Sequence, residues 1–171
     1  MSNLGASEAA QWRAGVIQDF ARSELFERTF QEGMDLVEET AAYLDGSGRQ
    51  DSKLLSRNAA LAYAAESMRL TTRLMQVASW LLVQRSVREG HMAPALACDA
   101  SYRLAAEAAD PETGAREILP GPLSELLERS ERLYDRVRHL DKRMYVEIDE
   151  TRETTSPVLA QMARLKDAFG F

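Results

Sequence analysis

The chain has 171 residues, room for one domain, and its 45% hydrophobic and 28% charged content excludes wholesale disorder. A formal net charge of −6 argues against broad nucleic-acid binding, because phosphates repel an acidic chain unless a local basic face compensates. A single cysteine, Cys98, excludes an intrachain disulfide, and the scarcity of proline (5) and glycine (9) amid Ala, Leu, Glu, Arg and Met points to helix.

The first helical pattern runs from about Glu8 to Leu44. Trp12, Val16 and Phe20 keep helical spacing, and Phe26, Phe30, Gly33, Val37, Ala41 and Leu44 continue a one-sided stripe. Ser23 is a candidate cap for a restart, so residues 1–22 read as a variable N-terminal arm outside a bundle domain of residues 23–149. DGSGRQDS (45–52) is turn chemistry and predicts a loop.

The second helix is expected over 57–89, with Ser56 to cap it and Gly90 to close it, about 50 Å of rod. Leu61, Met68, Met75 and Leu82 fall seven apart on one face; Leu70, Leu74, Val77 and Leu81 make a second. Two apolar faces predict neighbours on both sides and make this the central helix.

Pro94 opens a single turn, and residues 99–121 read as an irregular connection, a length usually reserved for functional or mobile segments. A third helix begins at Pro122 and runs to about Asp149, with Leu126, Ser130, Leu133, Val137, Leu140 and Met144 on one face. Residues 150–171 read as a linker, TRETTS, and a short helix from Ser156-Pro157 carrying Val158, Met162, Leu165 and Phe169. The expected fold is all-α: a three-helix bundle with a long central helix, plus a short C-terminal helix.

Charge is uneven. Residues 24–45 hold seven acids and one base, and residues 57–89 hold five bases and two acids. An acidic first helix beside a basic second one is the expected arrangement. The N-terminal MSNLGASEAAQWRAG has no basic-then-apolar signal pattern. The most apolar run, Met75–Val83, is interrupted by Gln76 and Ser79 and falls short of the roughly 18 residues of a membrane span. The reading is a cytoplasmic protein without membrane insertion.

Catalytic apparatus is thin. Cys98 has only His91 nearby in sequence and no glycine-flanked nucleophile turn, so it reads as a small half-buried cysteine. One cysteine and two histidines make a poor zinc set, and Arg136 three residues before His139 breaks the Glu-x-x-His pattern of a di-iron bundle. No phosphate-cradling glycine motif is present. No catalytic residue, metal or cofactor is expected.

Two polar stripes remain. Glu66, Arg69 and Arg73 share one face at the middle of the second helix, followed by Gln76 and Trp80. They read either as a solvated face with a weak ion pair or as a docking surface, since arginine beside tryptophan is a combination rich in interface energy. On the latter reading, reversing Arg69 and Arg73 weakens partner binding and spares the fold. On the third helix, Arg132, Arg136, His139 and Arg143 form a second stripe, with Tyr134, Asp141 and Tyr145 on the opposite flank. It reads as a charged border to the core or as a surface for an acidic partner or a phosphate.

Three strings carry a resemblance: SELFERTFQEGMDLVEETAAYLDGSGR (23–49), LSRNAALAYAAESMRLTTRLMQVASWLLVQRSVREG (55–90) and SERLYDRVRHLDKRMYVE (130–147). Together they resemble the RcdA family, regulators of CtrA degradation in alphaproteobacteria. The resemblance implies a small dimeric three-helix bundle without enzymatic activity that serves as an adaptor for the ClpXP protease. In that family the protease is primed by a response regulator, CpdR; the RcdA-type protein then docks and delivers cargo, with a PopA-type adaptor added for CtrA. Homodimerisation, contact with ClpX, a CpdR-like regulator, a PopA-like adaptor and substrate proteins, and recruitment to a cell pole are what the resemblance implies. Residues 1–22 and 99–121 fall outside it. The alternatives are a dimeric scaffold or localisation protein unrelated to proteolysis, and a small-ligand sensor built on Arg132, Arg136, His139 and Arg143.

Overall fold

The computed structural model describes residues 4–106 and 113–153, and among them every regular element is helical. The elements are α1 (Leu4–Arg22), α2 (Glu24–Asp45), α3 (Ser47–Lys53), α4 (Arg57–Arg88), α5 (Pro94–Ala97) and α6 (Gly121–Glu153), with 3₁₀ turns at Ala100–Tyr102 and Thr113–Ile118. The all-α bundle read from the sequence is the fold observed. α4 lies at its centre and touches α1, α2 and α6.

Ser23 does divide the first helical pattern. Its hydroxyl donates to the Phe20 carbonyl at 2.6 Å and accepts from the Phe26 amide at 3.1 Å, so one side chain closes α1 and opens α2. The described part of the stretch read as an arm, residues 4–22, lies in the bundle, however. From Leu4 they form α1, which packs on α4, α5 and α6 and fully buries Ile17 and Ala21. Phe20 meets Phe26 and Trp80 with ring centroids 5.7 Å apart in each case. The apolar spacing of α1 therefore continues the core stripe across the turn.

The expected loop at 45–52 is a one-residue break followed by a helix. Gly46 interrupts, its amide donating to the Ala42 and Tyr43 carbonyls, and α3 begins at once. Packing draws it in: a Cβ on Gly48 would stand 2.7 Å from both the Tyr43 carbonyl and the Tyr63 hydroxyl, and Tyr43 donates to Asp51 at 3.3 Å. Gly33 serves a similar purpose between α2 and α4, where a Cβ would come within 2.8 Å of Leu81 Cδ1.

Helix α4 starts at the Ser56 cap, whose hydroxyl accepts from the Ala59 amide, and ends before Gly90 at a φ of 77°. Leu70, Leu74, Val77 and Leu81 are buried, as their periodicity predicts. The other apolar face is not covered: Leu61, Met68, Met75 and Leu82 are 50–72% exposed. The neighbours expected on that side are absent among the described residues.

Helix α6 opens at Gly121-Pro122 and continues through Glu153, past the point where the linker was expected. The short helix expected from Ser156 lies outside the described residues. Of the seven acids of α2, two pair with α6, Glu32 with Arg136 at 2.7 Å and Glu39 with Arg129 at 2.7 Å, and Glu27 reaches Arg88 of α4.

Candidate functional site

The stripe Glu66–Arg69–Arg73 looks inward. Arg73 retains 6% exposure and Glu66 7%, and the Arg69 side chain is one-third exposed. Arg73 donates to Ser130 Oγ at 2.8 Å and stands 3.6 Å from Glu131 of α6; Arg116, in the second 3₁₀ turn, holds the same carboxylate. Arg69 donates to Glu66 at 2.8 Å. Glu66 and Arg73 therefore do not form the exposed patch expected of them, while Arg69 keeps part of its exposure. Positions 66, 73, 80 and 87 recur every seven residues on the arc of α4 that its neighbours cover. Arg73 and Trp80 are paired across the α4–α6 seam, to Ser130 and Asp141, while Glu66 is held by Arg69 of its own helix.

A second buried polar centre escaped the sequence reading. Asp141 of α6, 3% exposed, accepts from the Trp80 indole at 3.0 Å, from the Leu104 amide at 3.2 Å and from Arg103 at 3.2 Å. On either side, Tyr145 donates to the Ala97 carbonyl at 2.6 Å and Tyr134 to the Ala105 carbonyl at 2.7 Å. Burial, reinforced by the Asp141 charge, pushes the Tyr145 hydroxyl up to about 12, so it remains a donor across neutral pH. Three α6 side chains thus strap residues 97–105 to the bundle. Between this strap and α4 lies a cleft of about 480 Å³ lined by Met75, Gln76, Trp80 and Tyr102. The one sequence signal for the strap was the Tyr134–Asp141–Tyr145 flank, but its acceptors are backbone groups that no motif marks.

The remaining predicted residues do reach the surface. Arg132, Arg136, His139 and Arg143 are all exposed on α6. The first three, with Arg129 and with Glu32 from α2, line a depression of about 570 Å³. Arg129 was missed in the sequence; it lies three residues before Arg132, on the same flank. The two predicted stripes do not merge into one site, since that on α4 is internal and that on α6 external.

The exposed face of α4 is the other distinctive surface. Leu61, Met68, Met75 and Leu82 are joined there by exposed Ala64, Ala65, Thr71, Thr72 and Ser79. This band is about 30 Å long and carries no charged side chain. Among the described residues, no group of His, Cys, Asp and Glu could hold a metal ion, and no helix is long and apolar enough to cross a membrane.

These features define a class: an all-α bundle with a paired polar interior, an uncovered apolar face on α4 and an arginine-lined depression on α6. A family profile described as a protein of unknown function, DUF1465, matches residues 17–169. The crystal structure of RcdA from Caulobacter crescentus CB15 is similar at 70% sequence identity, covering 75% of this chain and 98% of that one, with a TM-score of 0.63. No curated protein matches. The chain belongs to the RcdA family.

Proposed function

We propose that this protein is a non-enzymatic adaptor that docks on a ClpXP protease primed by a CpdR-like response regulator and promotes degradation of cell-cycle substrates such as CtrA, with a PopA-like adaptor for some cargo. The observation that carries this reading is the 70% identity to RcdA over 98% of its chain. An adaptor adds no chemistry; it raises the effective concentration of cargo at the unfoldase. The decisive experiment is reconstituted degradation. Cargo should disappear faster when this protein is added to ClpXP with the CpdR-like regulator, and no faster when either is omitted. An unchanged rate with the complete set would sink the adaptor reading and leave the scaffold alternative.

The homodimer expected of this family is best accommodated on the uncovered face of α4. A second copy laid along it would pair Leu61, Met68, Met75 and Leu82 in a seven-residue repeat, with alanine, threonine and serine between them to allow close approach. A charge placed in the seam would have to be desolvated in two copies at once. Met68→Glu with Met75→Glu is therefore expected to give monomers by sedimentation at micromolar concentration, with helicity unchanged. A dimer that survives both substitutions would put the interface elsewhere. Of the predicted partner-binding residues, Arg132, Arg136, His139 and Arg143 remain candidates on the surface, and the interior Glu66 and Arg73 do not.

A further inference from the structure

The depression between α2 and α6 differs from the apolar α4 face in every respect that governs recognition. Three arginines, Arg129, Arg132 and Arg136, line it with His139 and Glu32, and two further carboxylates, Glu39 and Glu128, stand at its border. The cations come from a single helix at steps of three, four and three residues, so they rise along one flank over about 15 Å. Each guanidinium commits a terminal nitrogen to a carboxylate at the border: Arg129 to Glu39 at 2.7 Å, Arg132 to Glu128 at 3.1 Å and Arg136 to Glu32 at 2.7 Å. A guanidinium carries five N–H donors in a planar fork, so each keeps donors beyond those pairs. The pairs themselves are solvent-exposed, with side chains 34–64% accessible, and exposed pairs exchange partners at little cost.

We propose that this depression is a docking groove for an acidic helical segment of a partner protein. The inference rests on the reading of the chain as a protein that binds partners, and it names the partner's chemistry. Linear spacing favours a protein segment over a small anion: the guanidiniums are spread along the helix instead of converging on one point, whereas carboxylates at i, i+3 and i+7 of an incoming helix repeat at the same interval. The incoming carboxylates would compete with Glu32 and Glu128 for the same forks, so those two residues set the affinity from the other direction.

The test uses the full chain and a fluorescein-labelled helical peptide of about 20 residues with glutamates at i, i+3 and i+7, its partner peptide having glutamines there. Anisotropy should show binding of the glutamate peptide, weakened by added salt, and little binding of the glutamine peptide. Arg132→Glu with Arg136→Glu should weaken it by roughly tenfold or more. Glu32→Gln with Glu128→Gln should tighten it several-fold by removing the competitors, an effect that no purely structural role of these residues would produce. Equal affinity for both peptides, or no change in the arginine variant at unchanged helicity, would overturn the proposal. So would displacement of the peptide by millimolar inorganic phosphate beyond that by chloride at equal ionic strength, which would make the groove a small-anion site. If degradation of cargo is stimulated but the peptide fails to bind, the groove is lost and the adaptor reading stands; if the peptide binds but degradation is not stimulated, the reverse holds.

Discussion

Arg73→Glu is expected to cost about 3–5 kcal/mol of folding stability, because it puts an unpaired carboxylate in a buried position facing the half-buried Glu131. In the native protein the Arg73 guanidinium stands 3.6 Å from Glu131 and donates to Ser130, and only 6% of the residue is accessible. Reversal removes the hydrogen bond to Ser130 and sets a new negative charge against Glu131, which Arg116 also holds. Arg73→Met should be milder, since it withdraws the buried charge and leaves the Glu131–Arg116 pair in place. Arg132→Glu, at an exposed ion pair, should change stability by less than about 1 kcal/mol. Urea unfolding of the three variants gives the ranking. A midpoint for Arg73→Glu equal to that of the native chain would mean that this face of α4 is not sealed by α6.

The second large effect is expected at Asp141. Alanine there leaves the buried Trp80 indole and the Leu104 amide without their acceptor and Arg103 without its counter-charge. Two orphaned donors, with a smaller contribution from the partly exposed Arg103 pair, place the loss at about 3–5 kcal/mol. The strap should also loosen before the bundle does, because Tyr134 and Tyr145 hold only its two ends. Limited proteolysis should therefore nick Asp141→Ala within residues 97–105 under conditions that leave the native chain whole. Asp141→Asn, which keeps an acceptor oxygen but loses the charge, should fall between the two. Native-like protease resistance together with native stability in Asp141→Ala would show that the strap is held by packing alone.

Both predictions arise where the sequence and the tertiary structure part. Glu66, Arg69 and Arg73 look like surface because isolated charged side chains ordinarily are. Leu61, Met68, Met75 and Leu82 look like core because apolar residues seven apart ordinarily pack. On one helix the structure buries Glu66 and Arg73, leaves Arg69 one-third exposed, and leaves the four apolar residues uncovered. Periodicity reports that α4 has distinct faces, but it does not say which neighbour each face meets. Glu131 and Ser130, which make Arg73 tolerable in the interior, lie some sixty positions away and show no link to it in the sequence. Asp141 presents the same difficulty, since two of its three donors come from an irregular segment with no pattern of its own. On α6 the reading fared better: Arg132, Arg136 and His139 are exposed and adjacent, and helical spacing alone brings them together.

What the sequence determined by itself was local and periodic: an all-helical chain, the Ser23 and Ser56 starts, the Gly90 stop, the buried row Leu70–Leu74–Val77–Leu81, and three strings specific enough to identify the family. Each follows from contacts within one or two helical turns, where spacing and side-chain chemistry suffice. Only the tertiary structure decided that α1 belongs to the core, that the charged centre of α4 is sealed by α6, and that its long apolar face is left open. Those outcomes depend on which helices lie side by side. That choice is made by packing summed over the whole bundle, and a paired charge can be buried there as readily as an unpartnered leucine can be left at the surface.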